Sequence, residues 1–487
     1  MDDLQAALAR RAASGSTRTA FDDGAVTLTY RTLGRRVAAA SERLSRNLPG
    51  GSVVGLYGEP DADWVVGQLA GWHAGMTVVP LPTFFRPAQL RHVIRDARVS
   101  HLLATADAAH AAAALGVPFN TIDEQETAPF VPNGASYRQI VYTSGSTGAP
   151  KGVVLGPSQL MWSARSLAQT IGASDGDTYL SVLPLAVLLE TICAVVIPIL
   201  VGAPVRLEPA LAGRFGVGDG QALADAVNTH RPTCMVLVPD LLASWIAALK
   251  RAKSRAPDSL RFVAVGGAPL SPQLADEAWR RGVPVHEGYG LSECGSVVAL
   301  NRLGERRAGT VGRPLPGLDV SIDEGEIVVR GPPVMERYVC GAPAAGFWRT
   351  GDLGAIGDDG VLTVHGRLDN VIVTPIGRNI SPEWIETLIA DDARVGSCVV
   401  AHFEGPHLTA IIVPAAGVEH WFATATADDL AALIATACID VPEYALPRQV
   451  AVVSSCDVAP TASDRRRAVL DAYAAMPPCA ATDAGDL

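Results

Sequence analysis

The sequence has neither a paired-cysteine motif nor an apolar run long enough to cross a membrane. Its eight cysteines are scattered, with no C-x-x-C pattern, which argues against a disulfide framework and against a cysteine zinc site. The longest apolar runs, such as 194–201, fall far short of the roughly 20 residues that span a bilayer. The N-terminal segment is acidic and lacks the apolar stretch of a signal peptide. We therefore expect a cytoplasmic protein with reduced thiols and no membrane span.

Positive charge is also scarce in this chain. The 39 lysines and arginines are outnumbered by 50 acidic residues, which gives a formal net charge of −11. This balance argues against nucleic acid or an anionic membrane as a bulk partner, so an anionic substrate must be captured by local donors. At 487 residues, of which 48% are hydrophobic, the chain is too long for one core. We expect two or more domains.

Short apolar runs alternate with Ala-rich helical patterns over the first 300 residues, which predicts an α/β fold with largely parallel sheets. From Gly309 the apolar runs become closely spaced and punctuated by Gly and Pro, which predicts a small antiparallel, barrel-like region. Another mixed unit follows Asp369, and we expect the Ala-rich tail beyond Ala474 to be disordered. Strand-like runs lie at 52–56, 77–81, 100–104, 235–238, 261–265, 318–322, 325–330, 361–365, 397–403, 408–413 and 449–454.

The most informative segment, 142–155, reads Y-T-S-G-S-T-G-A-P-K-G-V-V-L and directly follows a strand-like run. Glycines let such a loop fold closely around a ligand, and its successive N–H groups form an anion-binding concavity. Hydroxyl groups and Lys151 add donors, so the loop suits a polyphosphate, although it is not a Walker A motif. A flexible linker is the alternative, but linkers rarely run straight out of a strand. The candidate phosphate-binding residues are Thr143, Ser144, Gly145, Ser146, Thr147, Gly148 and Lys151.

This loop resembles the phosphate loop of the adenylate-forming (ANL, AMP-binding) superfamily of acyl-CoA synthetases, peptide-synthetase adenylation domains and luciferases. Later motifs follow in the family's order, so the resemblance spans roughly 28–470. It implies that ATP and Mg²⁺ activate a carboxylic acid to an acyl-adenylate, which usually passes to the thiol of CoA or phosphopantetheine. It also implies a large N-terminal domain, 1–368, of two α/β subdomains plus the barrel-like region. A hinge at Asp369 would lead into a small mobile α+β domain, 369–487.

A second motif, G-Y-G-L-S-E at 288–293, follows a strand-like run. In the family, the aromatic residue at the Tyr289 position stacks on adenine and the Ser292 position contacts the α-phosphate. The carboxylate at the Glu293 position holds Mg²⁺, a cation that is commonly bound by one or two carboxylates plus phosphates. The resemblance assigns these further residues to the nucleotide site: Gly267, Ala268, Gly288 and Gly290.

A third motif, W-R-T-G-D at 348–352, places Asp352 where the family binds the ribose hydroxyls. Arg367 matches the arginine that contacts ribose and phosphate. The segment from Gly377 matches a loop that swings into the site for the second half-reaction. Ser381 there suits the N-cap of a helix. The amino-acid sequence of this segment, like that of 183–190, most resembles the long-chain acyl-CoA synthetase branch.

Two positions depart from the family pattern. Val187 stands where that branch usually has a histidine, at the acyl pocket or its gate, unless it merely packs in a core. Near the C-terminus, T-A-S-D-R-R-R at 461–467 replaces the usual T-x-x-G-K-x-x-R. The best alignment places Arg465 over the catalytic lysine of adenylate formation, with Arg466 as the alternative register. Arginine keeps the charge but offers a planar fork instead of a compact ammonium. A solvated basic run on a helix is the other interpretation.

The acid is predicted to carry no α-amino group, because the segment that would hold a pairing aspartate offers only Glu190. The pocket residues assigned by the resemblance are Val187, Val236 and Gly266, and their neighbourhood is apolar, which favours a fatty, branched or aryl acid. The acceptor thiol would belong to a separate molecule, CoA or an acyl carrier protein. Two alternatives remain open: an AMP-forming ligase with an amine acceptor or a small oxyanion substrate, and a nucleotide-binding module without ligase activity.

Overall fold

A computed structural model of the chain shows a large N-terminal region followed by a small C-terminal one. The structure describes residues 3–13, 17–122, 129–143, 150–214, 219–373, 379–403, 407–439, 441–453, 462–476 and 481–483.

The strands in these residues are numbered in chain order. In the large region they are β1 (Thr19–Asp22), β2 (Thr27–Thr29), β3 (Val53–Tyr57), β4 (Thr77–Leu81), β5 (His101–Ala104), β6 (Phe119–Thr121), β7 (Arg138–Thr143), β8 (Lys151–Leu155), β9 (Tyr179–Ser181), β10 (Val205–Leu207), β11 (Cys234–Leu237), β12 (Phe262–Val265), β13 (Val285–Tyr289), β14 (Ala299–Leu300), β15 (Arg313–Pro314), β16 (Asp319–Asp323), β17 (Glu326–Arg330), β18 (Arg337–Tyr338), β19 (Phe347–Ile356) and β20 (Leu362–Arg367). In the small region they are β21 (Ile372–Val373), β22 (Asn379–Ile380), β23 (Val395–His402), β24 (Leu408–Pro414), β25 (Pro447–Val452) and β26 (Ala481–Asp483).

The α-helices are numbered in the same way. They are α1 (Asp3–Ala13), α2 (Tyr30–Asn47), α3 (Ala62–His73), α4 (Pro87–Asp96), α5 (Ala109–Ala113), α6 (Pro157–Thr170), α7 (Leu188–Glu190), α8 (Ile197–Val201), α9 (Pro209–Ala212), α10 (Gly220–His230), α11 (Pro239–Arg251), α12 (Pro272–Arg280), α13 (Pro382–Ala390), α14 (Glu419–Thr424), α15 (Ala427–Ala437) and α16 (Ala462–Ala474). A π-helical stretch (Thr191–Val196) joins α7 to α8, and short 3-10 helices occupy Ser292–Cys294, Leu368–Asn370 and Glu443–Ala445.

Two largely parallel sheets form the body of the large region, as the alternation of strand and helix patterns predicted. One has the order β18-β8-β7-β4-β3-β5-β6, and the other has the order β15-β14-β13-β12-β11-β9-β10-β1-β2. In the second sheet β11, β12 and β13 are parallel neighbours, so their carboxyl ends meet at one edge. That edge is where open α/β sheets generally bind ligands.

Helix α11, which follows β11 of this second sheet, shows why these residues form a helix with one buried face. Pro239 starts the helix, where its missing N–H costs nothing, and Lys250 and Arg251 in the last turn suit the negative end of the helix dipole. The apolar side chains fall at helical spacing and are buried, whereas Asp240 in the first turn is exposed. The buried residues of this face are Leu242, Trp245, Ile246 and Leu249.

The region after Gly309 is antiparallel, as predicted, with the strand order β16-β17-β19-β20. Its small core includes Cys294, which is fully buried, so this cysteine packs as a small hydrophobic residue. In the ladder between β19 and β20, Asp352 is directly opposite Arg367.

The small region has its own buried clusters, formed by residues between 380 and 469. Its sheet has the order β23-β24-β25-β26. Within the tail that was expected to be disordered, the described residues Ala481–Asp483 instead pair with β25. No helix within the described residues is long and apolar enough to cross a membrane.

Candidate active site

The candidate phosphate loop joins two antiparallel neighbours, β7 and β8, in which Thr143 lies opposite Lys151. The remaining predicted loop residues, Ser144, Gly145, Ser146, Thr147 and Gly148, lie outside the described residues. Lys151 is exposed at the start of β8, and its Nζ lies 5.9 Å from the centre of the Tyr338 ring. A cation at this distance from an aromatic face is attracted to it.

Tyr338 links this lysine to the predicted magnesium ligand. Its hydroxyl donates a 2.8 Å hydrogen bond to Oε1 of Glu293, and the backbone carbonyl of Glu293 accepts from the N–H of Met335 at 2.8 Å. Burial and the nearby Glu293 carboxylate raise the pKa of Tyr338, so the phenol keeps its proton. The sequence motifs did not identify Tyr338, because only the pairing of β18 with β8 brings it beside Lys151.

A second network surrounds Asp352, which is buried in the middle of β19. Its Oδ2 accepts a 2.6 Å hydrogen bond from the hydroxyl of Tyr289, and its Oδ1 accepts a 2.9 Å bond from Arg367. Burial raises the pKa of Asp352, while the hydrogen bonds from Tyr289 and Arg367 act in the opposite direction. The structure thus brings together three residues that sequence motifs placed up to 78 positions apart (367 minus 289).

Two glycines of the predicted site are required by their surroundings. A Cβ on Gly290 would lie 1.7 Å from the carbonyl oxygen of Ser296, so no side chain fits. Gly267 has a φ of +85°, which favours glycine strongly over other residues. The backbone therefore turns tightly at the edge where β12 and β13 end.

A cavity of about 400 Å³ opens at this edge. It is lined in part by the predicted nucleotide-site residues Gly267, Ala268, Gly288, Tyr289, Gly290 and Ser292. The three predicted pocket residues, Val187, Val236 and Gly266, also line it. Much of the remaining wall is aliphatic, with contributions from Leu167, Ile171, Val182, Leu183, Leu188, Ile197, Val201, Leu211 and Leu241.

The cavity runs along the whole length of β11. Every residue from Cys234 to Val238 lines it, which corresponds to about 13 Å at the usual rise of a strand. The π-helical stretch between α7 and α8 contributes Cys193. Such stretches occur frequently at functional sites, and the sequence pattern gave no signal for this one.

Glu190, the one acidic residue of the predicted pocket segment, is fully buried. Its carboxylate accepts hydrogen bonds from the hydroxyls of Ser181 at 2.6 Å and Tyr179 at 3.0 Å. Burial raises its pKa to about 8, while these two hydrogen bonds lower it. A buried group held in this way has no charge to offer an ammonium group of the substrate.

Replacing Glu190 by glutamine is expected to change how stability depends on pH. In the folded protein Glu190 keeps its proton up to about pH 8, whereas the usual value of 4.5 applies when the chain unfolds. Its contribution to stability is therefore complete below that lower pKa and is lost as pH rises through the upper one. The glutamine amide cannot titrate. As pH rises from 5.5 to 8, the melting temperature of Glu190→Gln should therefore fall less than that of the native protein. Exposed Glu324→Gln is the control, and parallel melting curves for the native protein and Glu190→Gln would contradict this result.

Arg465 and Arg466 contact different parts of the chain. Arg465 lines the cavity and forms an ion pair with Asp240 of α11. Arg466 instead pairs with Glu386 and donates to the carbonyl of Val400 at 2.9 Å, all within the small region. Of the two registers left open by the sequence, the geometry favours the one that places Arg465 at the cavity.

The predicted hinge lies in the 3-10 helix that follows β20. Nη2 of Arg367, at the end of β20, lies 4.0 Å from Oδ2 of Asp369. The side chain of Asn370 donates a hydrogen bond to Glu383 of α13. Ser381 is at the N-cap of α13, as predicted, but makes no capping hydrogen bond and donates to Glu383 at 3.0 Å instead. Gly377 lies outside the described residues.

The hydrogen-bonded network of Tyr289, Asp352 and Arg367 adjoins the apolar cavity, an arrangement that suits an adenylate-forming enzyme. The chain belongs to the AMP-binding enzyme family, whose model matches residues 8–339. The family resemblance and the predicted enzyme class, an AMP-forming acid–thiol ligase, are confirmed.

Individual relatives agree with this assignment. The chain is 32% identical to a feruloyl-CoA synthase of Amycolatopsis sp over 445 residues, covering 84% of this chain and 88% of the relative. It is 27% identical to a long-chain-fatty-acid–CoA ligase of Mycobacterium tuberculosis over 450 residues, covering 77% and 75%. The structure of O-succinylbenzoate CoA synthetase from Bacillus subtilis, in complex with ATP and magnesium ion, matches with a TM-score of 0.76. That match has 24% identity and covers 92% of this chain and 95% of the other, which confirms the predicted fold.

Proposed function

We propose that this chain uses ATP to activate an apolar carboxylic acid and then transfers the acyl group to CoA. The observation that carries the proposal is the continuity of the cavity: Tyr289 and Ser292 line the same space as Val187 and Val236. An acid whose tail fills the apolar part would present its carboxylate beside the nucleotide residues and Arg465.

The nucleotide would be held by residues from several elements of the large region. Lys151 and the preceding loop would bind the outer phosphates, and Tyr289 would stack on adenine. Asp352 and Arg367 would bind the ribose. Both oxygens of Asp352 already accept one hydrogen bond, but each carboxylate oxygen has two lone pairs and can accept another.

The donor set fits magnesium at Glu293. Within the described residues no group of three or more His, Cys, Asp and Glu could hold a metal ion alone. Magnesium usually takes one or two carboxylates and completes its shell with phosphates and water, so Glu293 with the nucleotide suffices. When bound, the ion would neutralise phosphate charge, while Tyr338 keeps the carboxylate oriented through its hydrogen bond to Oε1.

In the first half-reaction a carboxylate oxygen of the acid attacks the α-phosphorus. An acyl–phosphate bond forms, the bond between the α- and β-phosphates breaks, and pyrophosphate leaves. Arg465 would stabilise the negative charge that gathers between the two reactants. In the second half-reaction the CoA sulfur attacks the acyl carbon, AMP leaves, and the thiol proton passes to solvent.

We propose the domain division 1–368 and 369–487, with the hinge at Asp369. Separate buried clusters in the two regions support this division. The family resemblance implies that the small domain brings its catalytic cation inward for the first half-reaction. The position of Arg465 at the cavity supports that orientation here.

The acid class follows from the cavity. A volume of about 400 Å³ with a largely aliphatic wall suits an alkyl chain or an aryl side chain better than a small oxyanion. The feruloyl-CoA and long-chain relatives support both apolar classes. Their names also favour CoA over a carrier protein or an amine as the acceptor.

A pyrophosphate-release screen tests the proposal. Fatty acids of increasing length, aryl acids and amino acids are offered with ATP–Mg²⁺, each with and without CoA. Apolar acids should give rapid release that increases when CoA is added, and amino acids should give none. Release that is independent of any acid, or fastest with amino acids, would overturn the proposed function.

Replacing Tyr338 by Phe is expected to slow adenylate formation about 10- to 100-fold and to raise the Mg²⁺ concentration needed. The variant keeps the ring beside Lys151 but removes the charge-assisted hydrogen bond to Glu293, a bond of a kind that typically contributes about 1.5–3 kcal/mol. Tyr473→Phe, in the small region, is the matched control. Native rate and native Mg²⁺ dependence in Tyr338→Phe would exclude this role.

A further inference from the structure

The ion pair between Arg465 and Asp240 joins the two regions of the chain. Arg465 lies in α16 of the small region, and Asp240 lies in the first turn of α11 in the large region. Both residues line the cavity into which the acid would fit. The contact can therefore form only when the small region presents α16 to this edge of the sheet.

Asp240 is well placed to hold an arginine. The first turn of α11 is the positive end of a 13-residue helix, which favours a carboxylate. An arginine presents a planar fork of N–H donors that matches a carboxylate, whereas a lysine ammonium lacks that directional preference. The use of Arg465 in place of the family's lysine thus coincides with an anionic partner at the cavity.

The neighbouring arginine pair behaves differently. Arg466 and Glu386 are 19% and 15% exposed and both belong to the small region, so their pair is kept when that region moves. Arg465 and Asp240 are 32% and 51% exposed. Solvent weakens such a pair, so it can break readily when the small region rotates.

We propose that Asp240 is a positioning residue for Arg465. It holds the guanidinium in the cavity wall for adenylate formation and releases it when the small region turns for thiol transfer. The proposal rests on the proposed function and adds to it a residue that aligns the catalytic arginine. Asp240 acts on the first half-reaction only, and it acts through Arg465.

The test compares Asp240→Asn with Asp276→Asn, an exposed aspartate of the adjacent helix α12 that does not line the cavity. Single-turnover rates are measured for adenylate formation and, separately, for CoA acylation from a supplied acyl-adenylate. Asp240→Asn should slow the first step about 10-fold, a smaller loss than the roughly 10²-fold that a 1 Å misplacement of a reacting group can cause. It should leave the second step within about twofold, and Asp276→Asn should leave both steps unchanged.

A second arm separates positioning from a general structural effect. In the Arg465→Ala background, Asp240→Asn should have almost no further effect, because its target is gone. Raising the salt concentration should slow the native first step more than that of Asp240→Asn. Equal losses in both half-reactions, or the same 10-fold loss in the Arg465→Ala background, would overturn the proposal.

A measurement that does not depend on catalysis tests whether the contact between Arg465 and Asp240 holds α16 in place. Hydrogen exchange of the amides in 462–476 should quicken in Asp240→Asn and stay native in Asp276→Asn. Unchanged exchange would overturn the proposal even if no acid substrate were found. Quickened exchange with a native first-step rate would overturn the positioning role. Absence of pyrophosphate release by the native protein with every acid would instead count against the proposed function.

Discussion

A Glu293→Gln variant is expected to lose adenylate formation by about 10²–10³-fold, the usual cost of removing one charge-stabilising interaction of a transition state. The amide oxygen of glutamine can still accept the hydrogen bond from Tyr338, so the side chain should stay in place. What disappears is the negative charge that would hold Mg²⁺ against the phosphates. Acid-dependent pyrophosphate release measures the effect.

Two further measurements separate a loss of catalysis from a loss of folding. Thermal melting of Glu293→Gln should remain near that of the native protein, because Glu293 is only half-buried on a short 3-10 helix. Glu324→Gln, an exposed replacement in the turn between β16 and β17, should keep full activity. Near-normal pyrophosphate release by Glu293→Gln would remove this residue from the site.

The second large effect concerns Arg465. Arg465→Ala should slow adenylate formation about 10²-fold. Among the described residues of the small region, Arg465 is the positively charged side chain that lines the cavity, and the variant removes that charge. CoA acylation from a supplied acyl-adenylate should stay within about twofold of the native rate. Arg465→Lys should retain much of the first-step rate, since a lysine ammonium keeps the positive charge at the cavity and can still pair with Asp240.

Arg466→Ala is the matched control and should show the opposite behaviour. Its side chain pairs with Glu386 and the carbonyl of Val400, and burial raises the pKa of Glu386 to about 7 while Arg466 lowers it. Removing Arg466 should therefore lower the melting temperature of the small region and leave the chemistry of the first step nearly intact. If Arg465→Ala also leaves the first step unchanged, Arg465 has no role in adenylate formation.

Local sequence patterns predicted most of the architecture. The alternation of apolar runs with helical patterns gave the parallel sheets, because buried strands and amphipathic helices leave different periodicities. Gly and Pro punctuation after Gly309 indicated the change to antiparallel pairing. The short strand Ala481–Asp483 was missed, since its pairing with β25 depends on a distant part of the chain.

The sequence motifs named candidate site residues, but they did not name the partners that other elements bring to those residues. Tyr289, Asp352 and Arg367 were named from motifs, and the structure brings them into one network. Tyr338 and Asp240 carry no recognisable motif of their own, because their partners Glu293 and Arg465 become neighbours only after folding. Glu190, at the end of α7, likewise meets Ser181 of β9 only after folding.

The most direct test of the central claim is the product analysis of a single reaction containing the protein, ATP–Mg²⁺, CoA and an apolar acid selected by the screen. Mass spectrometry and nucleotide chromatography would measure acyl-CoA, AMP and ADP together. The account predicts one AMP for each acyl-CoA, no ADP, and loss of both products when the acid is omitted. ADP as the product, or AMP formation that is independent of the acid, would contradict it.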